Sequence, residues 1–165
     1  MTNVLVKKIL LLAFMLTMMS FASAQSISYK SSFDFQSGAT FTTSASVASE
    51  ETSPTDLAFS NDGLTVFTIG GAADEINQYA LTSAYDISGG LTHEASYSVS
   101  TEESVPYSLI FNDDGTRFYI IGTSSRTVYQ YSLSTGFDLS STVELEGSYY
   151  TGITYATAIH FNDDG

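Results

Sequence analysis

Short apolar runs separated by polar turns make up most of the sequence after residue 54, and each run has the length of a β-strand. Residues 57–59 and 109–111 are compact apolar runs, as expected of strands buried on both faces. An Asn-Asp-Gly or Asp-Asp-Gly turn follows each run. Gly63 and Gly115 are placed there to supply the positive φ that a tight hairpin requires. The pattern therefore predicts β-hairpins.

Three further strands are predicted in each unit. The second strand is rich in aromatic and β-branched residues, which favour strands, and the fourth is more polar than the others. The predicted second, third and fourth strands are residues 66–69, 76–81 and 94–100 in one unit and 118–121, 128–133 and 143–150 in the other. After the first 24 residues no segment has a helical period. The predicted fold class is all-β, with four-stranded antiparallel sheets.

The predicted strands recur with a period of 52 residues. The phrases FDFQSG, YDISGG and FDLSST begin at Phe33, Tyr85 and Phe137, at intervals of 52 residues. The phrases FSNDG and FNDDG begin at Phe59 and Phe111, also 52 residues apart, and a third copy arrives two residues early. A repeat of this length predicts stacked units that bury their faces against one another.

The phrase that opens each unit resembles that of a known family. It reads P-x-x-L-x-F-x-x-D-G from Pro54 and again from Pro106. This resembles the opening of the YVTN/lactonase-like propeller repeats. The resemblance implies that each unit is a β-propeller blade whose inner strand lines a central channel. A third copy departs from the phrase, with Ala156 in place of proline and Ile159 in place of leucine. A β-solenoid is the alternative fold, although its coils are usually shorter and lack Asp-Gly hairpins.

The first 24 residues are interpreted as a secretory signal peptide. They have a lysine-containing start, a short apolar core and an Ala-Ser-Ala close. The alternative is a membrane anchor, but the apolar core is shorter than the ~20 residues that a spanning helix needs. The predicted location is therefore secreted, periplasmic or cell-surface, with no membrane partner after cleavage.

The 52-residue repeat divides the rest of the sequence into an N-terminal segment and a repeat region. An N-terminal segment covers residues 25–40, and a β-propeller fragment covers 41–165. We expect the fragment to contain an orphan outer strand, two blades and the start of a third blade, at residues 41–48, 55–100, 107–150 and 156–165. Because closed propellers have about 4 to 8 blades, we expect the sequence to be part of a longer, incomplete propeller.

The net charge and the absence of cysteine exclude several classes of partner and of metal site. After signal removal, Lys30, Arg117 and Arg126 are the basic residues that remain against 18 acidic residues. Such a surface repels phosphate backbones and anionic lipid, so no nucleic acid partner is expected. The chain has no cysteine, which excludes disulfides and thiolate metal sites.

The acidic turns are the first candidate site. Residues 61–63, 112–115 and 162–165 carry Asn and Asp side chains that could hold calcium if the loops stacked. The same residue types are those that tight turns require. In addition, no loop has the 12-residue calcium spacing, and neighbouring blades should hold the turns apart. We therefore interpret these segments as turns and predict no metal and no cofactor.

The start of each inner strand is the second candidate site. Metal-dependent propeller lactonases, which the repeat resembles, place carboxylates and amides around the channel mouth. Asp56 is the one carboxylate at the matching positions of this sequence, and one carboxylate is not a site. His160 is interpreted as a packed core residue and His93 as a solvated one. Neither histidine is visibly placed beside an acid and a nucleophile, so no catalytic residue is predicted.

Aromatic residues are the third candidate. Most recur at matching positions and are predicted to pack between blades, namely Phe59 with Phe111 and Phe161, Phe67 with Tyr119, and Tyr79 with Tyr131. Tyr149, Tyr150 and Tyr155 are interpreted as lying outside the repeat register. These three are the aromatic candidates for contact with a ligand.

Two functions fit these observations. The favoured one is a secreted, non-catalytic β-propeller scaffold that binds a protein or a glycan. The alternative is an exported propeller enzyme, lactonase-like or another metal-dependent hydrolase, with its site in further blades. Because two inter-blade faces are left bare, we also expect the isolated chain to associate with itself.

Overall fold

The computed structural model describes residues 41–162, and these contain eight β-strands. The predicted signal peptide, the segment 25–40 and the end of the third Asp-Asp-Gly turn lie outside the described residues. Within the described part of the chain, no helix is long and apolar enough to cross a membrane. The prediction of an all-β fold is confirmed.

The strands form two antiparallel sheets in which each strand pairs with the next along the chain. The first sheet contains β1 (Pro54–Phe59), β2 (Thr65–Gly70), β3 (Glu75–Ala80) and β4 (Thr92–Ser98). The second sheet contains β5 (Pro106–Phe111), β6 (Arg117–Gly122), β7 (Thr127–Leu133) and β8 (Val143–Tyr150). A short 3₁₀ turn, Ile87–Gly89, lies between β3 and β4. The prediction of four-stranded antiparallel units is confirmed.

The Asp-Gly hairpin and the aromatic-Asp phrase of each unit depend on each other. Gly63 and Gly115 both have φ of 69° in the β1–β2 and β5–β6 turns. The rings of Tyr85 and Phe137 lie directly over these glycines, where any Cβ would overlap them. The backbone N–H of Tyr85 donates to the carbonyl of Gly63 at 2.8 Å, and that of Phe137 to Gly115 at 3.1 Å. The two repeated phrases therefore form one packed corner in each sheet.

The carboxyl group of a buried glutamate lies against the last residue of the second strand in each sheet. Glu51 is 1% exposed and Glu103 is fully buried. A Cβ at Gly70 would overlap the Glu51 carboxyl group, and a Cβ at Gly122 would overlap the Glu103 carboxyl group and the carbonyl oxygen of Val105. Glycine is therefore required at the end of β2 and β6 because the glutamate lies against the backbone there.

The main core lies between the two sheets. Phe67 of β2 contacts Phe111 of β5 with ring centroids 4.5 Å apart. Tyr97 of β4 meets the rings of Phe118 and Tyr131 edge-on, at 6.2 and 5.8 Å. The remaining buried members of this core are Ile69, Ile76, Val99, Leu109, Ile120, Leu133 and Leu139. The prediction that the recurring aromatics pack between units is confirmed for Phe67, Phe111 and Tyr131.

Two predicted strands are absent from the structure. Residues 41–48, predicted as an orphan outer strand, and residues 156–162, predicted to begin a third blade, have no strand pairing. A strand requires a backbone hydrogen-bonding partner, and no described strand pairs with either of these segments. Val47 still packs against the apolar cluster of the first sheet, and Phe161 still meets Tyr119 edge-on at 4.8 Å.

Substitution of Gly122 tests the close approach of Glu103. Gly122→Ala should lower the free energy of unfolding by about 1–3 kcal/mol, because the added methyl group overlaps buried atoms. Gly147→Ala is the matched control, since a Cβ at this β8 glycine meets nothing within 4 Å. Urea denaturation of the two variants measures the difference. Equal stability of the two variants would contradict the proposed contact.

Candidate functional site

Asp56, the predicted channel-mouth carboxylate, joins the inner strands of the two sheets. Its Oδ2 accepts hydrogen bonds from Ser108 Oγ and from the backbone N–H of Leu109, both at 2.9 Å. Its Oδ1 accepts from the backbone N–H of Leu57 at 2.9 Å. A register shift between Pro54 and Asp56 interrupts the pairing of β1 with β2 at this point. The carboxylate is therefore engaged in holding β1 beside β5.

The same link recurs one unit further along the chain. Ser108 occupies the repeat position of Asp56, and its Oγ accepts from the backbone N–H of Ile159 at 3.3 Å. A register shift also occurs between Pro106 and Ser108 in β5. Ala158 follows at this position and has no polar side chain to continue the series. This position of the repeat thus carries an acceptor for a backbone N–H group of the segment that follows in the next unit.

The two described acidic turns each hold one carboxylate, Asp62 or Asp114, in hydrogen bonds within the turn. Asp62 accepts hydrogen bonds from Ser60 Oγ at 2.7 Å and from the backbone N–H of Leu64 at 2.9 Å. Asp114 accepts from Thr116 and Asn112 in the same way. These hydrogen bonds lower the pKa of Asp62 and of Asp114 below the ordinary aspartate value. The interpretation of both segments as structural turns is confirmed.

The expectation that neighbouring sheets hold these turns apart is wrong. The side-chain amide of Asn61 donates to the backbone carbonyl of Asp113, so the turns of the two sheets touch. They meet because β1 and β5 lie side by side, and their hairpins end at the same level. Even so, no group of three His, Asp or Glu residues suited to a metal ion is found within residues 41–162.

The buried glutamates were missed by the sequence reasoning. Glu103 accepts hydrogen bonds from the backbone N–H groups of Val105, Ser124 and Ser125 at 2.9–3.1 Å, and from both serine hydroxyls. Glu51 accepts from three backbone N–H groups at the corresponding positions, those of Ser53, Ala72 and Ala73. A usable signal existed, since each glutamate stands three residues before the repeated proline. Fully buried glutamate is so uncommon that residue type alone predicts a solvated position.

The pKa values of Glu103 and of Asp74 are shifted in opposite directions. Burial alone would raise the pKa of Glu103, but the hydrogen bonds from Ser124 and Ser125 outweigh it, and the pKa is lowered. Asp74 lies near both glutamates. Its own burial and the negative charges of Glu51 and Glu103 raise its pKa. The hydrogen bonds to Glu103 anchor the loop that contains Ser124 and Ser125. Because the pKa of Asp74 is raised and that of Glu103 is lowered, Asp74 is the more readily protonated of the two.

The two histidines lie apart from these carboxylates. His93 is exposed, as predicted; its ring packs edge-on to Tyr79 at 5.4 Å, and its Nε2 lies 3.0 Å from Ser96 Oγ. His160 is also exposed, so its interpretation as a packed core residue is wrong. It lies in the unpaired segment, beside a groove that Ile110 and Asp113 also line. Without a neighbouring strand there, the side chain stays in solvent.

The candidate tyrosines are all solvent-exposed, but one of them belongs to the repeat. Tyr149, Tyr150 and Tyr155 are 74%, 64% and 80% exposed. Tyr149 stands 52 residues after Tyr97 and pairs with Val128 as Tyr97 pairs with Ile76. Its interpretation as lying outside the register is therefore wrong. Tyr149 occupies the position of a residue that packs between sheets.

Comparisons with known proteins bear on the fold. No family model and no curated protein matches the sequence. A candidate 6-phosphogluconolactonase from Bacteroides fragilis is similar in structure, with a TM-score of 0.54 at 17% sequence identity, over 68% of this chain and 30% of that one. A functionally unknown protein from Desulfotomaculum acetoxidans gives a TM-score of 0.49 at 18% identity, over 66% of this chain and 31% of that one. This chain has the fold of an incomplete β-propeller. It spans about a third of the length of either structure.

Replacement of Glu103 tests its anchoring role. Glu103→Gln should lower the free energy of unfolding at neutral pH by about 1–3 kcal/mol, because hydrogen bonds to a buried charge are lost. Since the pKa of Glu103 is lowered on folding, this loss should be full above the ordinary glutamate pKa of about 4.3 and shrink as the pH falls below it.

Glu144→Gln is the control for this substitution, because Glu144 is exposed on β8. Urea denaturation at several pH values measures both variants. Equal effects of the two substitutions at neutral pH would contradict the anchoring role of Glu103.

Replacement of Asp56 separates a structural role from a metal-binding one. Asp56→Ala should lower stability by about 1 kcal/mol or more, because Ser108 and Leu109 lose their acceptor. Asp113→Ala is the control, since Asp113 contacts Asn61 through its backbone. Thermal melts with and without added Ca²⁺ should show the same difference. A melting temperature that rises with Ca²⁺ in the wild type and not in Asp56→Ala would contradict this role.

Proposed function

We propose that the chain is part of an exported β-propeller scaffold that binds a protein or a glycan and does not catalyse a reaction. The observation that carries the proposal is the use of Asp56. This carboxylate stands where the resemblance to propeller lactonases implies a metal ligand, yet its Oδ2 joins β1 to Ser108 and Leu109 of β5, and its Oδ1 accepts from the backbone N–H of Leu57. The carboxylates of Asp62 and Asp114 are likewise engaged within their own turns.

The exposed aromatic residues support a binding role. Tyr155 is 80% exposed and follows β8, close in sequence to Ile153, which is 56% exposed. Large exposed apolar side chains that lie close together often mark binding surfaces. A tyrosine ring can pack against a sugar face or a protein side chain, and its hydroxyl group remains free for hydrogen bonding. Tyr155 is thus the residue that we assign first to ligand contact.

A glycan array tests this assignment. The labelled full chain should bind a restricted set of glycans, Tyr155→Ser should lose the signal, and Tyr155→Phe should keep most of it because the ring remains. Equal binding by all three forms would exclude Tyr155 from the contact. If no glycan is bound, the protein-ligand form of the proposal is the one that remains to be tested.

The second candidate function is that of a lactonase-type enzyme. It is favoured by the structural similarity to the candidate 6-phosphogluconolactonase, whose named activity belongs to that protein. In this case the reactive groups would be contributed by blades other than the two described here, because a fold hosts many functions and a site must be shown by its own residues.

An assay with 6-phosphogluconolactone distinguishes the two candidates. As a binding scaffold, the protein should leave lactone hydrolysis at the uncatalysed rate, with or without EDTA. An acceleration that EDTA abolishes would contradict the scaffold proposal and support a metal-dependent hydrolase.

A further inference from the structure

The turn between β2 and β3 ends at Asp74, which lies near both buried glutamates. Glu51 holds this turn, because its carboxylate accepts from the backbone N–H groups of Ala72 and Ala73 at 3.2 and 3.1 Å. The carbonyl oxygen of Asp74 accepts from the backbone N–H of Val99 at 2.9 Å. The turn is therefore joined to the connection between β4 and β5.

That connection continues the series of contacts into the second sheet. The carbonyl oxygen of Val99 accepts from the backbone N–H of Glu103 at 2.9 Å. The carboxylate of Glu103 accepts in turn from the backbone N–H groups of Ser124 and Ser125, both at 3.1 Å. The contacts that link the two turns are here called the joint, and they lie in residues 71–74, 99–103 and 123–126.

The carboxylate of Asp74 lacks the hydrogen bonds that the two glutamates have. Its Oδ1 is buried and has no hydrogen-bond partner among residues 41–162. Burial, followed by the charges of Glu51 and Glu103, raises the pKa of Asp74. A buried charge without a hydrogen bond is unfavourable, and nearby charges of the same sign add to the cost. A proton on this carboxylate removes the charge and supplies an O–H donor.

The second sheet has a cation at the same position of the repeat. Arg126 stands 52 residues after Asp74, and both residues have a left-handed backbone, with φ of 59° and 56°. The carbonyl oxygen of Arg126 accepts from the backbone N–H of Thr151 at 2.9 Å, as that of Asp74 accepts from Val99. The two positions share their backbone role although their side chains have opposite charges. The turn therefore does not require a carboxylate here.

The other charged groups around the joint do not neutralise Asp74. The two arginines of residues 41–162 are Arg117, which pairs with Glu146 on β8, and Arg126 in the turn of the second sheet. Neither arginine is among the causes of the Asp74 pKa shift. Glu75, the next residue of the chain, adds a further acidic group on the same element.

The tyrosines between the sheets do not titrate in the same range of pH. Tyr97 and Tyr131 lie near Glu102, in the connection between β4 and β5. Burial, followed by the charge of Glu102, raises the pKa of both tyrosines above the ordinary value. Both rings therefore stay neutral from acidic to neutral pH, and Asp74 is the group of the joint whose raised pKa brings its titration toward neutrality.

We propose that Asp74 makes the joint sensitive to pH, so that the link between the two sheets is weaker while this carboxylate is charged and stronger once it binds a proton from solvent. Glu103 responds in the opposite sense. Its charge is stabilised by hydrogen bonds that protonation weakens, whereas the charge of Asp74 has a buried oxygen without such a bond.

The two pKa shifts define the pH range of the response. Because folding raises the pKa of Asp74, the stability that its proton contributes is complete below the ordinary aspartate value of about 3.9 and is lost as the pH rises through the raised pKa. Because folding lowers the pKa of Glu103, its contribution is complete above the ordinary glutamate value of about 4.3 and is lost below it. The joint should therefore tighten on mild acidification from neutral pH and loosen again at strongly acidic pH.

Thermal melts of Asp74→Asn in the full chain test the proposal. Asparagine removes the charge and is among the residues that tolerate a left-handed backbone. The variant should melt at a higher temperature than the wild type at neutral pH, and the difference should shrink as the pH falls and the wild type binds its proton. Asp113→Asn is the matched control, because it removes the same charge from an exposed side chain, and its gain should be smaller.

Hydrogen exchange shows whether the effect lies at the joint. In the wild type, the protection factors of the Ala72, Ala73 and Val99 amides should rise from neutral to mildly acidic pH, since these N–H groups hold the turn and its neighbour. In Asp74→Asn the same amides should be well protected at both pH values.

Three results would overturn the proposal. The first is wild-type protection at these amides that stays constant or falls on mild acidification. The second is an Asp74→Asn variant no more stable than Asp113→Asn at neutral pH. The third is an NMR titration of the Asp74 carboxyl carbon that gives a pKa at or below the ordinary aspartate value. Because this titration uses the wild-type protein, it decides the question even where a variant fails to fold.

Discussion

The packing of one sheet face on the next is the interaction on which this structure depends. Phe67 of the first sheet lies against Phe111 and also against Phe137, both from the second sheet. Each sheet has apolar side chains on both faces, so a sheet on its own would leave both of these faces exposed to water. The main buried core therefore belongs to the pair of sheets, and the first sheet adds only a smaller cluster around Val66, Tyr79 and Leu81.

Polar contacts fix the relative position of the packed sheets. Asp56 joins the inner strands, Asn61 joins the inner hairpins, and the side-chain carbonyl of Gln78 accepts from the backbone N–H of Leu139 at 2.7 Å. All three link groups that lie between 52 and 61 residues apart in sequence. Apolar packing alone tolerates sliding of one face over another, whereas these bonds require a single register. The candidate site residues are thus largely the residues that position the sheets.

Much of this fold could be predicted because the repeat appears in local sequence. The Asp-Gly turns, the apolar inner strands and the recurring aromatics each depend on neighbours within one unit, and the 52-residue spacing indicates that these units stack. Contacts between segments about 20 residues apart within a unit were harder to predict. The burial of Glu103 depends on Ser124 and Ser125, which lie 21 and 22 residues away. Tyr149 lies one 52-residue period after Tyr97, so its register was readable from the sequence, and its pairing with Val128 matches that of Tyr97 with Ile76.

The contact between the rings of Phe67 and Phe111 tests the packing of the two sheets most directly, because it exists only if they pack as neighbouring blades. Nuclear Overhauser effects between the two rings in the full chain should be strong, since their centroids lie 4.5 Å apart. Their presence, together with the strand pairing within each sheet, is the result that we expect. Intact pairing within each sheet but no contact between these rings would contradict the packing of the sheets as adjacent propeller blades.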